Sequence, residues 1–450
     1  MSDFFSKQQE IYSASAPGRL DVMGGISDYS GSLLLQMPIK QTTKVSIQKR
    51  EDSMIHIRSI SGRNKADEFV MDSVELVGKD YASISQRLKS IPGGDWAIYI
   101  IGSISVLAKE KDMPLKGLSI EVESKVPVGK GVSSSAALEV ATMCALGQLF
   151  QLSFKKTELP LLAQKAENLV VGAPCGLMDQ LSSYLGKKNR LLPLVCQPHT
   201  VFDTIPIPGA LSFCAIDSGI RHAVSGASYG DVRTAAFMAY TIIAMAEGAT
   251  EASLQEARET SDWSKLPYGG FLSNISPSLF DLKYRSLLPE TIRGSEFLEK
   301  YRVSIDKVTT INPTATYYLV NCAFHPIGEN FRIQNFLTLL NQFGKARDKE
   351  SVLKLMGEMM FQSHASYSSV GLGNTHTDEI VEMVRKAGPM AGVYGARITG
   401  GGSGGTVCIL YAGKNGKETV KALFEEYRQR HGIESFFFSG SSDGARILNQ

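Results

Sequence analysis

The sequence predicts an α+β protein of two domains, and three observations carry that reading. "KVSIQKR" and "MIHIRSI" alternate apolar and polar residues, the period of half-buried strands. "WAIYIIGSISVLAKE" and "SAALEVATMCALGQLFQL" repeat their apolar residues at helical spacing. Near the end, "VYGARITGGGSGGTVCILYAG" reads as two strands joined by a glycine loop, followed by a helix "KETVKALFEEYRQRHG" and a strand "SFFFSG". A chain of 450 residues that is 43% hydrophobic is long enough for more than one packed core.

In chain order, "GLSIEVESKVPVGKG" is a strand that runs into a Pro and Gly turn. The apolar helix follows it directly. "LPLLAQKAENLVVG" is a further helix, broken at "GAPCG" before "LMDQLSSYLG". Residues 187 to 210 hold four prolines and show no period, so they read as strand and loop leading into "LSFCAIDSG". A boundary near residue 215 then divides a domain at 1–215 from one at 216–450. Helical patterns and polar loops fill the stretch from about 227 to 305. Within it, "ASLQEARETSDWSK" is the most linker-like segment of the chain.

Forty-seven basic and 45 acidic residues leave a net charge of +2, which argues against nucleic acid or an anionic membrane as partner. "MSDFFSKQQE" lacks the basic and apolar regions of a leader, and no run of about 18 apolar residues occurs. A soluble, cytoplasmic protein is expected. The six cysteines are scattered without CxxC, and the seven histidines are dispersed without HExxH. They read as reduced thiols, and the pattern argues against a transition-metal site.

Two glycine loops are candidates for chemistry. "PVGKGVSSSAAL" stands where a strand feeds a helix, so backbone N–H groups and the helix N-terminus converge as they do around a phosphate. Gly129 and Gly131 permit close approach, Lys130 adds charge, and Ser133, Ser134 and Ser135 offer hydroxyls to an oxygen or to Mg²⁺. The plainer alternative is a helix with a serine N-cap. Walker A is absent. "GGGSGGTV" from Gly400 matches GxGxxG, GxGxxGxV and GxSxG together. It opens a strand and not a helix, no HRD or DFG follows, and His431 precedes Asp443, against the hydrolase order. What survives for Gly400, Gly401, Gly402, Gly404 and Gly405 is a tight hairpin that brings backbone close to a ligand or another loop, or a purely structural turn.

"GRLDVMGGISDYSG" crowds an arginine, two acids and four glycines between strand-like segments. In "AENLVVGAPCGLMDQLSS", Asp179 has the position of a helix N-terminal acid, functional or merely capping. Glu167, one helix earlier, reads equally as an exposed helical acid. Trp96 and Tyr99 read as a core aromatic pair rather than as adenine contacts.

Taken in order, "GRLDVMGGISDYSG", "PVGKGVSSSAALEVA", "AENLVVGAPCGLMDQ", "DSGIRHAVSGASYGDVR", "GEMMFQSHASY" and "GARITGGGSGG" resemble the galactokinase branch of the GHMP small-molecule kinases over nearly the whole chain. The resemblance implies the two-domain GHMP kinase fold, with a ribosomal-protein-S5-like N-terminal domain, a ferredoxin-like C-terminal domain and the active site in the cleft between them. It implies ATP on the loop Gly129, Lys130, Gly131, Val132, Ser133, Ser134 and Ser135. It also implies Mg²⁺ on Ser135 and Glu167, catalysis by Asp179 with Arg19 as charged partner, and sugar binding by Asp28, Gly25, Gly176 and Tyr229. ATP, Mg²⁺ and a sugar are the expected cofactors and partners.

One departure is informative. Galactokinases read Glu-His-Thr-Asp where this chain has Gly25, Ile26, Ser27 and Asp28, and in that family the glutamate helps hold the C6 hydroxymethyl group. A site that lacks this acceptor suits a pentose of galactose-like stereochemistry. The wording of the opening motif also resembles the kinase domain of plant-type L-arabinokinases more than it does galactokinases. The expected reaction is ATP-dependent phosphorylation of L-arabinose at O1. Competing readings are a galactokinase or uronic-acid 1-kinase, and a non-catalytic sensor of sugar and ATP. A mevalonate-type kinase with a non-sugar substrate fits the motifs poorly.

Overall fold

A computed structural model describes residues 4–60, 67–173, 175–220 and 229–448. The chain forms two compact units: Met1–Leu20, Met37–Leu192 and Gly440–Gln450 make the first, Asp21–Gln36 and Pro193–Ser439 the second. This division departs from a single cut at residue 215. The opening motif's segment and the chain's last residues each belong with partners far away in sequence, which no local pattern announces.

The first sheet uses β1 (Tyr12–Met23), β2 (Leu33–Lys49), β3 (Met54–Ser59), β4 (Asp67–Asp72), β5 (Leu118–Ser124) and β6 (Arg190–Cys196). The second uses β7 (Leu211–Asp217), β8 (Val393–Ile398), β9 (Thr406–Ala412) and β10 (Phe437–Ser439), and β11 (Arg446–Leu448) ends the chain. The strand order of the first sheet is β11-β1-β2-β5-β3-β4, with β6 on β2. Register places Val45 opposite Val122 and Ile47 opposite Ile120, so branched side chains meet across the pair. These residues join the core under helices α1 (Gly94–Glu110) and α2 (Ser134–Leu149). Helix α2 is buried on nearly every side, as its largely apolar composition requires. After the helix Glu158–Ala166 the backbone widens into a π turn at Glu167–Val171, and α3 (Met178–Leu185) follows.

In the second unit the antiparallel order β8-β9-β7-β10 is ferredoxin-like. Its helices are α4 (Tyr229–Ala246), α5 (Glu251–Thr260), α6 (Leu319–Gln342), α7 (Lys349–Ser369), α8 (Thr375–Ala387) and α9 (Gly413–His431). Helix α5 overturns the linker reading of "ASLQEARETSDWSK". Thr250 and Ser253 close a capping box, and Leu254 and Ala257 are buried, so two apolar contacts and a cap outweigh a polar composition. Ile26 and Tyr29 of the opening motif join the core formed by α4 and α6. That explains why the motif is partly apolar. The "RHAVSGAS" part of the fourth motif lies outside the described residues.

Candidate active site

Gly18 and Arg19 lie in β1, where the Arg19 N–H donates to the Val132 carbonyl at 3.1 Å. A Cβ on residue 18 would stand 2.4 Å from that same carbonyl oxygen, so only glycine fits. The Arg19 guanidinium is buried, and its Nε and Nη2 each reach Asp179 Oδ1 at 2.9 Å. Its Nη1 donates to the Gly131 carbonyl at 2.7 Å. One cation therefore ties the first glycine loop to the carboxylate on α3.

Within that loop Gly129 and Gly131 have positive φ, and Ser133, with φ 59°, is the left-handed N-cap of α2. Successive N–H groups in such conformations converge into a concavity suited to an anion, at the end of a 16-residue helix. The Ser133 hydroxyl caps nothing, so the plain N-cap reading does not describe it. Beside the loop lies a cavity of about 340 Å³ lined by Trp96, Tyr99, Val122, Val128, Ser134, Ser135 and neighbouring residues. Trp96 and Tyr99 are only partly buried: they pack on the core and also wall this cavity, which corrects their reading as simple core aromatics. An aromatic and apolar cavity next to an anion loop fits a nucleobase beside its phosphates.

Glu167 opens the π turn and is buried, against the reading of an exposed helical acid. Gln180 Nε2 donates to its Oε2 at 2.6 Å and the Cys175 thiol donates to the same oxygen at 3.4 Å, while Ser135 hydrogen-bonds it as well. "CGLMDQ" thus supplies Cys175 and Gln180 to Glu167, and Asp179 to Arg19. Gly176 lies in the short segment between Cys175 and α3. A third carboxylate, Glu139 on α2, is wholly buried and accepts from Gln180 Nε2 at 3.3 Å. Sequence reading missed it, although an acid in the middle of a strongly apolar helix was the available signal. Burial, and then the charge of Glu167, push the Glu139 carboxyl well up. Burial and the charge of Asp179 raise Glu167. The same environment, burial first and then the two glutamates, pushes the Tyr99 phenol to about 12.

These residues fit a hard divalent cation. The donors are all oxygens, the carboxylates repel one another, and among the described residues Ser133 Oγ, Glu139 Oε1 and Gln180 Oε1 are buried without a hydrogen-bond partner. Ser135 and Glu167 remain the ligand candidates, with Glu139 behind them.

The second unit holds the remaining residues of the opening motif. Tyr229, at the start of α4, donates its hydroxyl to Asp28 Oδ1 at 2.9 Å. Burial and the Asp28 charge raise the Tyr229 phenol well above its usual value, so it stays a donor. Gly25 has φ 47°, and a Cβ there would overlap the Tyr367 hydroxyl of α7 at 1.6 Å. That hydroxyl accepts from the Ile26 N–H at 2.8 Å and donates to the Gly400 carbonyl at 3.0 Å. The second glycine loop joins β8 to β9 and meets other loops: the Ser403 N–H donates to Leu372 O at 2.7 Å and the Gly405 N–H to Ile220 O at 3.1 Å. Beneath it, Arg397 and Asp21 are fully buried and paired at 2.7 Å. Among the described residues, no helix is long and apolar enough to cross a membrane.

The sequence matches the family model for the GHMP kinases N terminal domain at residues 99–187 and that for the GHMP kinases C terminal at 345–434. It is 31% identical to a galactokinase of Chloroflexus aggregans, over 93% of this chain and 88% of that one. The chain belongs to the GHMP kinases. Among members of this family it is also 37% identical to an L-arabinokinase of Arabidopsis thaliana over 98% of its own length, but it spans only 46% of that relative. A Lactococcus lactis galactokinase solved with galactose has the same fold, with a TM-score of 0.74, 22% identity, and coverage of 99% of this chain and 97% of that one. The two-domain GHMP kinase fold expected from the motifs is therefore the fold of this chain.

Proposed function

We propose that this GHMP kinase is an ATP-dependent sugar 1-kinase that converts L-arabinose to L-arabinose 1-phosphate and ADP. The observation that carries the reading is Arg19, whose guanidinium is shared between Asp179 and the Gly131 carbonyl of the phosphate loop. Phosphoryl transfer needs positioned groups and charge neutralisation more than covalent chemistry from the protein.

In this account the loop Gly129–Ser135 cradles the phosphates, and the cavity walled by Trp96 and Tyr99 takes the adenine. Arg19 occupies one oxygen of Asp179, which leaves Oδ2 to accept the proton of the anomeric hydroxyl. O1 then bonds to the γ-phosphorus, the bond from that phosphorus to the β-γ bridging oxygen breaks, and ADP leaves with that electron pair. Ser135 and Glu167 would hold Mg²⁺, which when bound neutralises charge on the β- and γ-phosphates. Asp28 and Tyr229 are assigned to ring hydroxyls of the sugar.

The choice of a pentose rests on Gly25. The Tyr367 hydroxyl fills the space of any side chain at that position, so no acceptor for a C6 group projects from it. The L-arabinokinase relative supports the same choice, and the galactokinase relatives support D-galactose as the rival. A coupled ADP-release assay over L-arabinose, D-galactose and D-galacturonate tests it. A kcat/KM highest for L-arabinose supports the assignment; a clear preference for galactose or galacturonate overturns the pentose claim, and sugar binding without ADP release overturns catalysis.

A further inference from the structure

Helix α8 carries His376 and Glu379 three residues apart, hence on one face, and α9 ends on His431. One potential ligand atom from each of these half-buried residues lies within 4.8 Å of the others. We propose that the three form a binding site for a divalent transition metal of the zinc type, separate from the Mg²⁺ expected with ATP.

The hydrogen bonds around the cluster argue for a ligand set and not a chance gathering. Tyr427 donates its own proton to the Ser218 carbonyl at 2.9 Å, so its oxygen must accept from His376 Nδ1 at 3.1 Å. This fixes the His376 tautomer with its lone pair on Nε2, the arrangement in which an outer partner orients a metal-binding imidazole. Glu379 Oε1 accepts from Arg430 Nη1 at 2.6 Å, while its Oε2 faces His431 Nε2 at 2.7 Å. A simple Glu379–His431 ion pair would not need His376, whose ring nonetheless lies 4.9 Å from that of His431.

Two imidazoles and one carboxylate suit zinc with a fourth position open to water, whereas Mg²⁺ prefers oxygen alone. Zinc ligands at about 2.0 to 2.1 Å from a tetrahedral metal stand roughly 3.4 Å apart, a spacing that the cluster, with its ligand atoms within 4.8 Å of one another, reaches by small shifts, the 2.7 Å contact of Glu379 with His431 opening to admit the ion. The ion acts as a staple between two helices and takes no part in phosphoryl transfer. The histidines sit 55 residues apart in sequence, which is why no spacing motif revealed them.

The test is titration of the full chain, stripped with a chelator, with ZnCl2 followed by calorimetry, and with CoCl2 followed by visible absorption. We expect one equivalent to bind at micromolar affinity or tighter, a higher Tm with zinc, and the visible bands of four-coordinate cobalt. His376→Asn and His431→Gln should each weaken binding by about tenfold or more while the chelator-treated variants melt as the parent does. Absence of binding overturns the proposal, as does zinc that binds equally well to both variants. Should a variant melt early without metal, the cobalt spectrum of Glu379→Gln decides: an unchanged spectrum and affinity overturn the site.

Discussion

Asp179 carries the sharpest expectation at the residue scale, because both guanidinium contacts fall on one of its oxygens. Asp179→Asn preserves shape but removes the proton acceptor, so kcat should fall by roughly 10² to 10⁴ with the KM for ATP little changed, as steady-state ADP release will show. Glu139 and Glu167 give a pH dependence. Their carboxyls are raised in the folded chain. The stability they contribute is therefore complete below the unfolded value of about 4.3 and is lost as pH rises through the higher folded values. Without metal, Tm should decline toward alkaline pH more steeply for the parent than for Glu139→Gln; parallel Tm–pH curves would refute the buried-acid account. The pairing of Arg19 with Asp179 was expected from the family resemblance of the motifs, while the residues read alone left a capping acid and serine N-caps equally open. The burial of Glu139 was signalled by an acid within an apolar helix, but its proximity to Gln180 and Glu167 is not displayed by the sequence.

At the scale of elements, the turn Gly25–Ser30 follows Asp21, one half of a buried ion pair with Arg397, and gives its Ile26 N–H to the Tyr367 hydroxyl. Asp21→Ala leaves Arg397 buried without its carboxylate and should cost about 3 to 5 kcal/mol in urea unfolding. Tyr367→Phe leaves the buried Ile26 N–H unmatched, a loss of about 1 to 3 kcal/mol by the same measurement. Long periodic helices such as α1 and α2 and the β8–β9 hairpin were legible because period and glycine punctuation are local. Helix α5 was not, since its cap and two buried contacts are few beside its polar surface. The partnership of Gly25 with Tyr367 was equally hidden, because the glycine is explained only by a side chain more than 300 residues downstream.

For the whole molecule, the decisive fact is that neither compact unit is a continuous segment. A fragment ending at residue 215 lacks β11, the partner of β1, and a fragment starting at 216 lacks Asp21, the partner of Arg397. Neither fragment should fold alone, and circular dichroism melts of each should lack the cooperative transition of the intact chain. The sequence pattern suggested two domains but not which segments compose each, since strand pairing over hundreds of residues leaves no local period. The central claim, a sugar 1-kinase whose acceptor is Asp179, is tested most directly by ADP release from the parent and from Asp179→Asn across L-arabinose, D-galactose and D-galacturonate. The account predicts turnover by the parent, fastest on L-arabinose, and its near-abolition in the variant. Turnover by the variant close to that of the parent would contradict it.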